Sequence, residues 1–133
     1  MVFLTIAFQL CSFNLALSEH VSEVMRKDTD LQSALPPVQL EKLVVEPLEA
    51  VVGEQGFPSC VIVIDALDEC KVENTTLSSL LALSMFADRM FPIKFFITSR
   101  PVSKVIEGFV RILSDVEFNR YASMDTECTL EKI

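Results

Sequence analysis

Along the first two dozen positions, apolar residues recur at Phe3, Ala7, Leu10, Leu17, Val21 and Val24, with Asn14 standing in the one long gap. Side chains three and four apart share a helix face, so this spacing predicts a helix over residues 3–26, with a break around Ser12–Asn14. Asp28 to Pro37 reads as a connector, because Pro36-Pro37 forces extended backbone before it. A second run at Leu40, Leu43, Val44, Leu48, Val51 and Val52 predicts a helix over 38–52. Pro47 lies inside that run and should kink or restart it, since proline lacks an N–H and collides with the carbonyl four residues back. Gly53 to Pro58 then interrupts the pattern.

The period changes at Val61-Ile62-Val63-Ile64, where every position is apolar and β-branched. This predicts a strand over 60–65 buried on both faces, as in a parallel sheet between helices. Leu77, Leu80, Leu81, Ser84 and Met85 predict a helix over 76–90, capped by Asn74 or Thr75. Ile93 to Thr98 predicts a second strand over 93–98, leaving through Ser99-Arg100-Pro101. A short helix over Val102–Glu107 should end at Gly108 as a left-handed cap, followed by a third strand over 110–113. Beyond it the remnant to residue 133 is weakly patterned, with a helix beginning near Thr126. Strand, helix, strand, helix, strand implies an α/β fold with right-handed parallel crossovers. In such sheets ligands lie beyond the carboxyl ends of the strands. Asp65, Asp68 and Glu69 sit at that end of the first strand, and Arg100 at that end of the second.

Composition narrows the function classes. The chain has 133 residues, enough for one domain or part of one; half of them are hydrophobic, and the mean hydropathy is +0.41. A net charge of −8 argues against nucleic acid as a partner. Cys11, Cys60, Cys70 and Cys128 lack the paired spacing of a zinc site and read as reduced, non-ligating thiols. The uncharged stretch from Met1 to Ser18 lacks the positive start of a signal peptide and is short for a membrane span. It reads best as a helix on a core, in a cytoplasmic protein without a membrane partner. The other reading is a small secreted non-enzymatic protein from which residues 1–18 are removed.

The segments VIVIDALDEC (Val61 to Cys70) and KFFITSRP (Lys94 to Pro101) resemble the Walker B and sensor 1 segments of NACHT-type signal-transducing P-loop NTPases. Within that group the chain is most similar to the large fungal set related to the nephrocystin N-terminal domain. Leu4 to Leu10 looks like the helix after that family's second strand, and Lys42 to Leu48 like its helix before Walker B. The resemblance implies a three-layer P-loop NTPase sheet holding Mg-ATP or Mg-GTP in intact relatives. By position, Asp65 would be the magnesium-side acid, Asp68 or Glu69 would orient the hydrolytic water, and Arg100 would sense the γ-phosphate. Thr98 and Ser99 would shape the same exit. Phosphoryl transfer needs those charges because it is driven by positioning and electrostatic stabilisation. From the residues alone, Asp65, Asp68 and Glu69 also read as solvated acids of a turn.

The chain departs from the family in one respect. It has three glycines, Gly53, Gly56 and Gly108, and no G-x-x-x-x-G-K-[ST] motif. That loop supplies the N–H cradle and the phosphate lysine. The expectation is therefore a truncated fragment lacking the fold's first two strands, with no cofactor of its own and no turnover. The resemblance places the missing phosphate-loop strand between 93–98 and 110–113, leaving an empty slot there. Through that exposed sheet edge the fragment would associate with itself or a relative. A metal-dependent hydrolase built on the three acids alone lacks histidine support, since His20 is the single histidine and lies on the first helix.

Overall fold

The computed structural model describes residues 2–69, 73–115, 118–122 and 128–132 of the chain. It opens with helices α1 (Val2–Phe13) and α2 (Leu15–Lys27). The division falls at Asn14, whose backbone is extended and whose Oδ1 accepts from the Leu17 N–H at 3.0 Å. A side-chain oxygen there satisfies one of the N–H groups a helix start leaves unbonded. Phe3, Ile6, Ala7 and Leu10 of α1 and Leu17 and Val21 of α2 enter the core.

A 3₁₀ turn at Thr29–Ser33 buries Leu31 and leads to α3 (Pro36–Leu40). The two prolines start this helix rather than precede it, because a first turn has no use for the N–H they lack. Gln39 holds the connector: its Nε2 donates to the carbonyls of Leu31 at 2.9 Å and Gln32 at 3.1 Å. The chain continues through a wide π turn at Glu41–Val45 into α4 (Glu46–Gln55). In that turn the Glu46 N–H donates to the Glu41 carbonyl instead of the one four residues back. Such a turn shifts the carbonyl row just before Pro47, so the helix runs on past a residue that would otherwise break it.

Strand β1 (Cys60–Ile64), helix α5 (Glu73–Phe86) and strand β2 (Ile93–Ser99) form a parallel unit, paired from Cys60↔Ile93 to Ile64↔Ile97. The helix begins at Glu73, ahead of the expected Asn74 or Thr75 cap, and passes into a 3₁₀ turn at Ala87–Met90. Ile62, Ile64 and Phe95 pack against the core formed with the helices, and Ile93 and Ile97 belong to it. Val61 and Val63 point away and are 60% and 62% exposed. The expectation of a strand buried on both faces within three layers is therefore corrected: the other face of β1 is open. The run of β-branched residues could not separate the two cases, because Val and Ile are favoured on either kind of strand.

The expected strand over 110–113 is a helix. Segment α6 spans Ser103–Asp115 and runs through Gly108, which is neither a cap nor in the left-handed region. Val105 is buried and Gly108 faces α5, where a Cβ would stand 2.9 Å from Leu80 Cδ1. The glycine thus permits a close helix approach. The apolar residues Val105, Phe109 and Ile112 recur at helical steps, a pattern that a four-residue window over 110–113 misses.

The expected empty slot is also corrected. Strands β3 (Phe118–Ala122) and β4 (Cys128–Lys132) form an antiparallel pair, and β4 lies antiparallel to β2, from Ser99↔Cys128 to Phe96↔Glu131. The sheet order is β1-β2-β4-β3. Cys128–Lys132 is strand where the remnant was read as helical; Thr126 itself lies outside the described residues. The edge of a sheet presents unpaired N–H and C=O groups, and the C-terminal hairpin supplies partners for those of β2. The fold is α/β, mostly helical with a small sheet that contains one parallel pair. No helix among the described residues is long and apolar enough to cross a membrane.

Candidate functional site

The parallel register sets Ile64 beside Ile97, so the residues that follow, Asp65 and Thr98, stand side by side where β1 ends. Thr98 Oγ1 donates to Asp65 Oδ1 and accepts from the Ala66 N–H at 3.0 Å, joining the two strand ends through one hydroxyl. Ala66 turns the chain with a positive φ of 52°. Its carbonyl accepts from the Glu69 N–H at 2.9 Å, closing a 3₁₀ turn over Leu67–Glu69 that buries Leu67. A left-handed alanine is uncommon and costs about 1–2 kcal/mol. Here it is held between a buried leucine and the Thr98 contact.

That turn delivers Asp68 to the exit of β2. Its Oδ1 accepts from the Arg100 N–H at 2.9 Å and Ser99 Oγ at 3.1 Å, and its Oδ2 from Arg100 Nε at 2.6 Å. The Asp68 side chain is 2% exposed, whereas that of Arg100 is 65% exposed. Burial works to raise the Asp68 pKa, but the Arg100 N–H, its guanidinium and the Ser99 hydroxyl outweigh that and hold it below the ordinary carboxylate range. Asp68 is thus committed as a clamp between the strand ends, with its lone pairs directed at donors of its own chain.

The structure brings Asp65, Asp68, Glu69, Thr98, Ser99 and Arg100 to one cleft of about 100 Å³. That volume takes a few waters, far below the roughly 300 Å³ at which small-molecule sites begin. Glu69 is exposed beside it. Among the described residues, no three carboxylate, histidine or cysteine side chains converge as a metal site. Magnesium binds through one or two carboxylates together with phosphate oxygens and water. With Asp68 occupied by Arg100, Asp65 and Glu69 are the carboxylates of the cleft that remain to meet a cation.

Sequence reasoning missed the Asp68–Ser99–Arg100 clamp and the left-handed Ala66. Neither leaves a signal in the residue pattern, since both depend on which strand end faces which. It also missed Arg89, which forks onto Glu49 through Nε at 2.8 Å and a second guanidinium nitrogen at 2.9 Å and reaches Glu41 at 3.5 Å, tying the 3₁₀ turn after α5 to α4 and to the π turn before it. His20 lies 3.6 Å from Glu54 between α2 and α4, away from the cleft. Cys11 and Cys60 are free, and burial pushes both thiols up, so neither is an activated nucleophile. Cys70 lies outside the described residues.

A family model described as Nephrocystin 3, N-terminal, matches residues 1–100 of the chain, a stretch ending on the arginine of the clamp. No curated protein and no solved structure matches.

Proposed function

Because the chain belongs to the family described as Nephrocystin 3, N-terminal, we propose that this cleft is the acid-and-arginine half of a NACHT-type nucleoside-triphosphate site, and that these 133 residues alone neither bind nor hydrolyse Mg-ATP or Mg-GTP. The observation that carries the reading is the parallel pairing of β1 with β2, which sets the Asp65 and Arg100 ends beside each other. In this reading Asp65 is the acid on the magnesium side, as the fungal NACHT resemblance implies. Glu69 is the acid available to orient a water, since Asp68 is spent on Arg100. Arg100 is a γ-phosphate sensor held back by its carboxylate partner. The phosphate grip is a glycine–lysine loop that the 133 residues do not contain. What remains to the chain is a role in protein–protein interaction within a cytoplasmic signalling system.

Two measurements test this. Mg-ATP or Mg-GTP leaves the melting temperature of the chain unchanged; a bound ligand at roughly 100 times its Kd would stabilise it by about 2.7 kcal/mol. Fusing a strand–loop–helix unit with a G-x-x-x-x-G-K-[ST] motif ahead of Met1, with the hairpin of β3 and β4 deleted to free the edge of β2, creates nucleotide binding, which Asp65→Asn weakens. A clear upward shift for the chain alone refutes its incompetence, and a fusion indifferent to Asp65→Asn refutes the half-site.

A further inference from the structure

Among the described residues, the sheet order leaves the outer edge of β1 without a strand beside it. Alongside that edge runs a cavity of about 250 Å³, lined by Ile6, Leu10 and Phe13 of α1 and by Cys60 to Val63 of β1. Phe13, Val61 and Val63 are 65%, 60% and 62% exposed. The strip is also free of charge: neither Val2–Phe13 nor Cys60–Ile64 contains an acidic or basic residue, although the chain carries 19 acids and 11 lysines and arginines. Nor does β1 contain a lysine, a proline or a bulge, the devices by which natural sheets blunt an edge.

We propose that this edge binds a second copy of the same chain, the two β1 strands pairing antiparallel about a two-fold axis at Ile62. In that register Val61 faces Val63 of the second copy, Cys60 faces Ile64, and Asp65 faces Ser59, so no like charges meet. A strongly acidic or basic partner would find nothing to pair with on this strip, whereas a second copy brings the same uncharged surface, matching the depletion of charge at interface cores. At 65% exposure Phe13 has about 100–160 Å² to lose to a partner. With the two valines and the strand backbone, the covered area reaches about 400–500 Å² per copy. The total of about 800–1,000 Å² lies below the roughly 1,200 Å² at which stable specific interfaces begin, in the range of weak, transient contacts, which suits a reversible dimer.

Sedimentation velocity over a concentration series up to about 1 mM, the range an interface of this size calls for, reads the outcome. The native chain shows a concentration-dependent dimer that tightens with added salt, because each copy carries a net charge of −8 and the contact itself holds no ion pair. The double variant V61K/V63K stays monomeric, as does V61E/V63E, because like charges then face each other across the axis; mixing the two restores a dimer. Circular dichroism confirms that these exposed substitutions leave the fold intact. If either pair unfolds the chain, Phe13→Ser reads the same surface from α1 and weakens the dimer at least about tenfold. A chain monomeric at the highest concentration, a dimer that salt weakens, or one indifferent to these substitutions overturns the proposal. The first of those results leaves the edge to a strand from another protein.

Discussion

Replacing Asp68 with alanine tests whether the cleft is held shut by its own acid. The substitution removes the acceptor of three donors: the Arg100 N–H, Arg100 Nε and Ser99 Oγ. These do not count equally. The guanidinium arm is 65% exposed and exchanges its partner for water at little cost. The Ser99 hydroxyl has a second acceptor, the Arg100 carbonyl at 3.0 Å, and re-pairs there. The backbone N–H of Arg100 loses a charged acceptor, and the 2%-exposed space left by the carboxylate must rehydrate or collapse. Losing a hydrogen bond to a charged group and leaving a donor unmet costs about 2–3 kcal/mol, or about 8–12 °C in melting temperature at this chain length. Arg100→Ala keeps the backbone donor and removes only the exposed arm, so its melting point stays close to that of the native chain.

The dependence on pH has a definite sign. The folded pKa of Asp68 lies below its unfolded value, so its contribution is fully present above about pH 3.9 and is lost as pH falls through the depressed folded value. Urea melts of the native chain and Asp68→Ala should therefore differ by a constant amount from neutrality down to about pH 4 and converge below it. A difference under about 0.5 kcal/mol at neutral pH refutes the clamp. So does an Arg100→Ala chain that melts as low as Asp68→Ala.

Gln39→Leu removes the amide that serves the Leu31 and Gln32 carbonyls, of which that of Leu31 keeps the Ala34 N–H as a donor; denaturant melts should show a loss of about 1–2 kcal/mol. Ala66→Gly relieves a φ of +52°, and the relief exceeds the added freedom of glycine in the unfolded chain, for a net gain of about 0.5 kcal/mol by the same melts. A loss at Ala66→Gly would mean that the turn is not held in the left-handed region.

Much of the helical layer was legible from spacing, because a 3.6-residue period records which side of a helix is buried. Phe3, Ala7, Leu10, Leu17 and Val21 were read from the pattern and are core residues. The acids after β1 and the arginine after β2 were likewise legible as strand-end groups, since an apolar run followed by charge marks where a chain leaves the interior. The C-terminal third was not. Residues 110–113 look like a strand when taken alone, whereas they belong to the helix Ser103–Asp115, which packs on α5 with Gly108 lying against Leu77 and Leu80.

The chemistry divides along the same line. Composition and order placed Asp65, Asp68, Glu69 and Arg100 at the tips of two strands, because those properties belong to the chain itself. Which carboxylate is free and which is occupied depends on the handedness of Ala66 and on the parallel register of β1 with β2. Those are relations between segments some thirty residues apart, and no local pattern encodes them. The same holds for the sheet edges: β2 acquires a neighbour from Cys128–Lys132, while β1 keeps a bare side among the described residues. Backbone hydrogen bonds seek partners without regard to residue type, so packing in three dimensions selects the strand that receives one.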